Sequence, residues 1–153
     1  MPARFHSAHR RLVIVASSRP VEGAALLLTR LALAGVFWRS GQTKIAEGTW
    51  FTISDATYAL FVTEYAGVPL PSAFAAVAAA TAEHVFPALL LLGLATRLSA
   101  LALLGMTMVI QLFVYPEAWW PVHSVWAAMA SILIVRGGGI LSLDALLARR
   151  AGT

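Results

Sequence analysis

The residues able to do chemistry in this chain sit in stretches otherwise too apolar to hold them. Glu83 and His84 occupy the middle of the apolar run 71–94, and Arg30 lies inside the run 24–38. If those runs cross a bilayer, a charge near the hydrocarbon centre costs at least ~2.5–3.5 kcal/mol, so such side chains face a bundle interior and mark function. A carboxyl in that position can relay protons. Pro87 adds a second polar group beside it, because proline has no N–H and the carbonyl four residues earlier, that of Glu83, loses its helical partner. In a membrane both groups must find partners in protein or water. Arg30, reaching from the first run, is the expected partner of Glu83, and Glu83 is the candidate proton relay. A buried pair that only fixes helix register, or a protonated Glu83, would account for the same residues.

A second polar group converges at a different level. Arg39 and Lys44 end the first run, Gln111 and Tyr115 share a helix face four residues apart, and His123 opens the last run. Trp38, Trp119, Trp120 and Trp126 surround that level. With Glu64 brought in from the intervening segment, Trp38, Arg39, Lys44, Gln111, Tyr115 and His123 outline a ligand pocket. It would suit a flat amphiphilic ring such as a quinone, or a small oxyanion. The competing reading is an ordinary interfacial belt of Trp, Tyr, Arg and Lys. His84, His123, Met106, Met108 and Met129 are soft or borderline metal ligands, and His6 and His9 lie on the amino-terminal arm. No pair has a recognised metal spacing, so no metal site is assigned. There is no phosphate loop, nucleophile elbow or zinc motif. The chain has no cysteine, which removes disulfides, a CxxC pair and a thiolate nucleophile. Any thiol chemistry would fall to a partner.

Such residues need a membrane frame, and composition supplies one. Of 153 residues 59% are hydrophobic and 12% charged, against roughly 25% charged in soluble domains. Four runs approach the ~20 residues needed to span: 23–44, 72–94, 98–115 and 121–135. They predict an all-α membrane protein, a four-helix transmembrane bundle. Residues 50–65 carry aromatic side chains at helical spacing, with Ser54 or Asp55 as N-cap, and predict an outer interfacial helix. After Gly137–Gly139, Ser142 is placed to cap a short inner-face helix over Leu143–Arg150. The chain divides into an arm (1–22), a four-span domain (23–147) and a basic tail (148–153). The run 12–16 is shorter than the about 7–15 apolar residues of an export signal, so the arm is taken as a cytoplasmic tail.

Arg4, Arg10, Arg11, Arg19, Arg97, Arg136, Arg149 and Arg150 fall on one side of this frame. Glu47, Asp55, Glu64 and Glu117 fall on the other. The positive-inside rule then places both termini in the cytoplasm. The net charge of +4 follows from topology and does not point to nucleic acid.

Taken in order, Arg30, Gly41-x-x-Lys44, Glu64-Tyr65, Pro69-x-Pro71, Glu83-x-x-x-Pro87, the run from Leu91 to Arg97 and Tyr115-Pro116 resemble the DoxX family of small four-span membrane proteins. The likeness runs from about Leu26 to Leu147. The stretches 113–119, 126–128 and 136–144 are similar to a DoxX subgroup associated with maturation of small metal-binding peptides. The resemblance implies a multi-pass protein of the bacterial cytoplasmic (inner) membrane. Its expected role is a non-catalytic accessory that anchors soluble partners, or handles a small ligand or metal in a peptide-maturation pathway. The alternative is the membrane subunit of a quinone-linked oxidoreductase, with Glu83 relaying protons. Quinone is the cofactor candidate, the bilayer and proteins encoded nearby are the expected partners, and homo-oligomers stay open.

Overall fold

A computed structural model describes residue 10, residues 13–15 and residues 17–152. Expectations for Arg4, Arg11, His6 and His9 lie outside the described residues. The elements in chain order are α1 (Arg19–Gln42), α2 (Asp55–Thr63), α3 (Ser72–Leu92), α4 (Thr96–Phe113), a 3₁₀ turn (Pro116–Ala118), a π turn (Trp119–His123), α5 (Ser124–Arg136) and α6 (Leu143–Arg150). Among the described residues the only extended pairing is a single antiparallel bridge between Ile45 and Ile53. Among the described residues four helices are long and apolar enough to cross a membrane: α1, α3, α4 and the continuous stretch Pro116–Arg136. The protein is therefore all-α with four candidate spans, as its composition implied.

Local chemistry explains the ends of these elements. Pro20 enters α1 in its first turn, where a missing N–H costs nothing, and Arg39 sits in its last turn, where a cation meets the negative end of the helix dipole. Ser54 caps α2 by accepting from the Thr57 N–H at 3.2 Å, and Ser142 caps α6 through the Ala145 N–H at 3.2 Å. Both caps and the span of α6 agree with the sequence reading. The helix α2 is shorter than residues 50–65, because a turn closed by Ala46 N–H to Thr52 C=O (2.8 Å) takes the first part of that segment. Trp50 and Phe51 lie exposed on the turn.

The spans close in a ring, α1 on α3, α3 on α4, α4 on α5, and α5 back on α1. On α1 the buried residues Gly23, Leu26, Arg30, Leu33, Ala34, Phe37 and Gly41 follow three- and four-residue spacings, one stripe facing inward. That stripe meets Leu90, Ala100, Leu103, Ala130 and Leu133 in the core. A second, smaller cluster of Phe61, Ala75 and Ala76 packs α2 onto the first turns of α3. Thus the beginning of α3 lies beside α2, and only its later turns lie beside α1. This offset decides which polar residues meet. Below, the "loop end" is the end carrying residues 43–71, and the "terminal end" is the end carrying α6.

Candidate functional site

Glu83 does not meet Arg30. Its partner is Lys44, whose Nζ donates to Glu83 Oε2 at 2.6 Å. Both side chains are buried, Glu83 at 2% exposure and Lys44 at 5%. Ser40 completes a triangle, donating to Glu83 Oε1 at 3.2 Å and accepting from Lys44 Nζ at 3.2 Å. The Lys44 backbone is fixed from above. Its carbonyl accepts from the Ser54 N–H at 3.0 Å and from Thr57 Oγ1 at 3.1 Å, which ties the lysine to the start of α2.

Gly41 sets the register. A Cβ there would lie 2.8 Å from His84 Cε1 and 3.2 Å from Glu83 Cβ, so only glycine lets α1 and α3 approach at this level. With Gly41 level with Glu83 on antiparallel helices, Arg30 falls three turns away, about 16 Å at 1.5 Å per residue. No arginine spans that gap. Arg30 is buried instead at the terminal end, where Nη2 donates to the Leu141 carbonyl at 2.5 Å and Nη1 to that of Leu90 at 3.4 Å. The expected Arg30–Glu83 pair is therefore replaced by two separate solutions. Arg30, expected to reach Glu83 from the first run, is held too far along α1 by the offset of α3.

The Lys44–Glu83 pair forms the floor of a cavity of about 330 Å³ between α3 and α4. Its walls are small or flexible: Ala79 and Ala82 on α3, Gly105 and Met106 on α4. Phe61 and Tyr65 roof it from the α2 side, their rings stacked at 4.4 Å. Tyr65 also stands edge-on to Tyr115 at 6.5 Å. Burial, followed by the neighbouring Tyr115, Glu83 and Glu64, pushes the Tyr65 hydroxyl up to about 12. The Tyr115 hydroxyl donates to the Glu64 carboxylate, and that bond, with burial and the charge of Glu64 behind it, raises Tyr115 as well. This bond clips the end of α2 to the segment after α4.

Of the seven residues expected to bind ligand, only Lys44 lines this cavity. Glu64 and Tyr115 bond one another beyond its roof. Gln111 and His123 satisfy each other at 2.7 Å, His123 Nδ1 donating to Gln111 Oε1, while Gln111 Nε2 donates to the Pro116 carbonyl at 2.7 Å. They staple α4 to the π turn, a wide turn that accommodates Pro121. Trp38 packs edge-on against His84 at 5.2 Å. His84 donates from Nδ1 to the Ala80 carbonyl (2.7 Å) and accepts at Nε2 from Gln42 (2.9 Å), an assignment that describes one neutral tautomer. Arg39 is exposed at the end of α1. The set therefore separates into distinct contacts. Sequence reasoning missed Ser40 and the cavity itself; the available signal was the alanine-rich stretch 73–82 on α3, whose Ala75, Ala78, Ala79 and Ala82 line it. Among the described residues no three of His, Asp or Glu converge on a common point.

The geometry is that of an apolar slot with one buried ion pair and one phenol. Among known proteins, the DoxX family model matches residues 25–116, over half the chain, from the second turn of α1 to the end of α4 and just beyond. No curated protein and no solved structure matches.

Proposed function

The chain belongs to the DoxX family, and from that premise we propose that it is a membrane accessory protein holding a small lipid-soluble ligand against Lys44 and Glu83. The observation that carries this reading is the cavity of about 330 Å³ ending on the buried pair. That volume falls at the lower end of the roughly 300–1,000 Å³ of small-molecule pockets, and the mix of apolar wall with few polar groups is typical of them. An entering carbonyl or phenol can accept from Lys44 Nζ or donate to Glu83, so the ligand class is an amphiphile with an oxygen-bearing head and an apolar body. The family resemblance in residues 113–144 favours a place in a peptide-maturation pathway beside soluble partners. The basic residues at the terminal end and acidic ones at the loop end favour a bacterial inner-membrane protein with cytoplasmic termini.

A second reading, the membrane subunit of a quinone-linked oxidoreductase, draws on the Ser40–Lys44–Glu83 triangle. Quinone reduction consumes protons, and a carboxyl hydrogen-bonded to a lysine and a hydroxyl can pass one on. One experiment addresses both. The purified protein is extracted with organic solvent, and the extract is analysed by mass spectrometry beside that of Ala79→Phe, whose ring fills the slot. The proposal expects a stoichiometric amphiphile from the wild type that the variant lacks, and a quinone there would favour the second reading. Identical extracts would contradict ligand binding in this cavity.

A further inference from the structure

We propose that the cavity at the terminal end is a binding site for the phosphate of an anionic phospholipid. This hollow of about 620 Å³ lies between the α3–α4 turn, the glycine segment 137–139 and the start of α6. It is independent of the Lys44–Glu83 slot and lies at the opposite end of the spans. Arg97 and Arg136 both line it.

The two arginines are differently committed. Arg136 uses Nε (2.8 Å) and Nη2 on Glu22 Oε1, which leaves Nη1 without a partner among the described residues. Arg97 is exposed and makes no hydrogen bond or ion pair among the described residues. Its guanidinium lies over the backbone of Gly137, where an added Cβ would stand 3.4 Å from Arg97 Nε. Gly137 has φ +75° and ψ −161°, a conformation closed to other residues, so the chain keeps a bare surface beneath the arginine. An arginine fork held open beside a second one is the usual cradle for a phosphate. Thr96 Oγ1 lies buried in the same wall with no partner among the described residues.

One carboxylate lines this hollow, that of Asp144, and both its oxygens are engaged by backbone donors. Oδ1 accepts from the Ala95 N–H at 2.8 Å and Oδ2 from the Thr96 N–H at 2.9 Å, which uses the first donors of α4. With Arg136 paired to Glu22, Arg97 carries the positive charge that lines the hollow without an ion-pair partner among the described residues. The surroundings identify the phosphate's bearer as a lipid. Leu98 at the rim and Leu101 one turn further along α4 are both exposed, an apolar strip leading from the hollow down the side of a span. A headgroup in the hollow would lay its acyl chain on that strip.

Thermal unfolding of the full chain in neutral detergent tests the assignment, with phosphatidylglycerol, phosphatidylcholine or inorganic phosphate added. Phosphatidylglycerol should raise the midpoint several degrees beyond phosphatidylcholine at equal content. Arg97→Gln, at an exposed position, should lose most of that extra rise, and Arg97→Lys should keep part of it. The double variant R149Q/R150Q removes more charge from the same face and should keep the rise. Equal effects of the two lipids, or a loss in R149Q/R150Q matching that of R97Q, would overturn the site. A rise with inorganic phosphate equal to that with phosphatidylglycerol would overturn the lipid assignment.

Discussion

The two ends of the bundle answer a buried charge in different ways. At the loop end Glu83 is met by the side chains of Lys44 and Ser40, groups that can exchange protons and change partner. At the terminal end Arg30 is met by the backbone carbonyls of Leu90 and Leu141, and Asp144 by the N–H groups of Ala95 and Thr96. Backbone dipoles neither titrate nor move away. The contrast lies in the partners: the pair of the first arrangement lines the slot between α3 and α4, while the second arrangement ties α1, α3, α4 and the chain from Leu141 to Asp144 into one knot beside the hollow of Arg97. A buried ionisable residue in a span is a functional candidate by default, yet here its partners decide the matter.

The largest expected effect comes from breaking the pair at the loop end. Lys44→Met leaves a buried carboxylate uncompensated and should cost about 3–5 kcal/mol, read by denaturant unfolding in detergent. Arg30→Met comes next. It removes charge-assisted bonds to two carbonyls, a loss of roughly 3 kcal/mol, and should raise amide exchange in residues 141–150 while leaving ligand recovered from the slot unchanged. If Arg30→Met emptied the slot instead, the division between the two ends would be wrong.

Gly41→Ala should cost about 1–3 kcal/mol, because the new methyl meets His84 and Glu83 and must push the helices apart. A neutral result would argue against the close register of α1 and α3.

Tyr65 gives the smallest effect. Its ionised form is disfavoured in the fold, so between about pH 10 and about pH 12 the folded state keeps a proton that the unfolded state has lost. Stability from this group is complete below pH 10 and declines as pH rises towards 12. Phenolate absorbance during alkaline titration should show a late component to which Tyr65 and Tyr115 both contribute, and Tyr65→Phe should remove the part near pH 12 while leaving that of Tyr115.

What was legible in the sequence was local or compositional. Four apolar runs, the Ser54 and Ser142 caps and the extent of α6 follow from spacings of a few residues, which the chain reads out without tertiary help. The choice of Glu83 and Arg30 as buried charges also needed only hydropathy. Their pairing needed register, and register is set by non-local packing. Phe61 of α2 against Ala75 and Ala76 moves α3 along α1, and Gly41 then fixes the level. Lys44 was legible as a basic residue at a span end, but its inward turn depends on Ser54 and Thr57 holding its carbonyl. The cavity was hidden for a similar reason: the small alanines of α3 become its walls only once a roof of Phe61 and Tyr65 covers them.

The most direct test is a pair of double-mutant cycles sharing Glu83→Leu, one with Lys44→Met and one with Arg30→Met, each read by unfolding free energy. The account predicts a coupling of about 2 kcal/mol or more between positions 44 and 83, and additivity within about 0.5 kcal/mol between positions 30 and 83. Strong coupling of 30 with 83, with 44 and 83 additive, would contradict it.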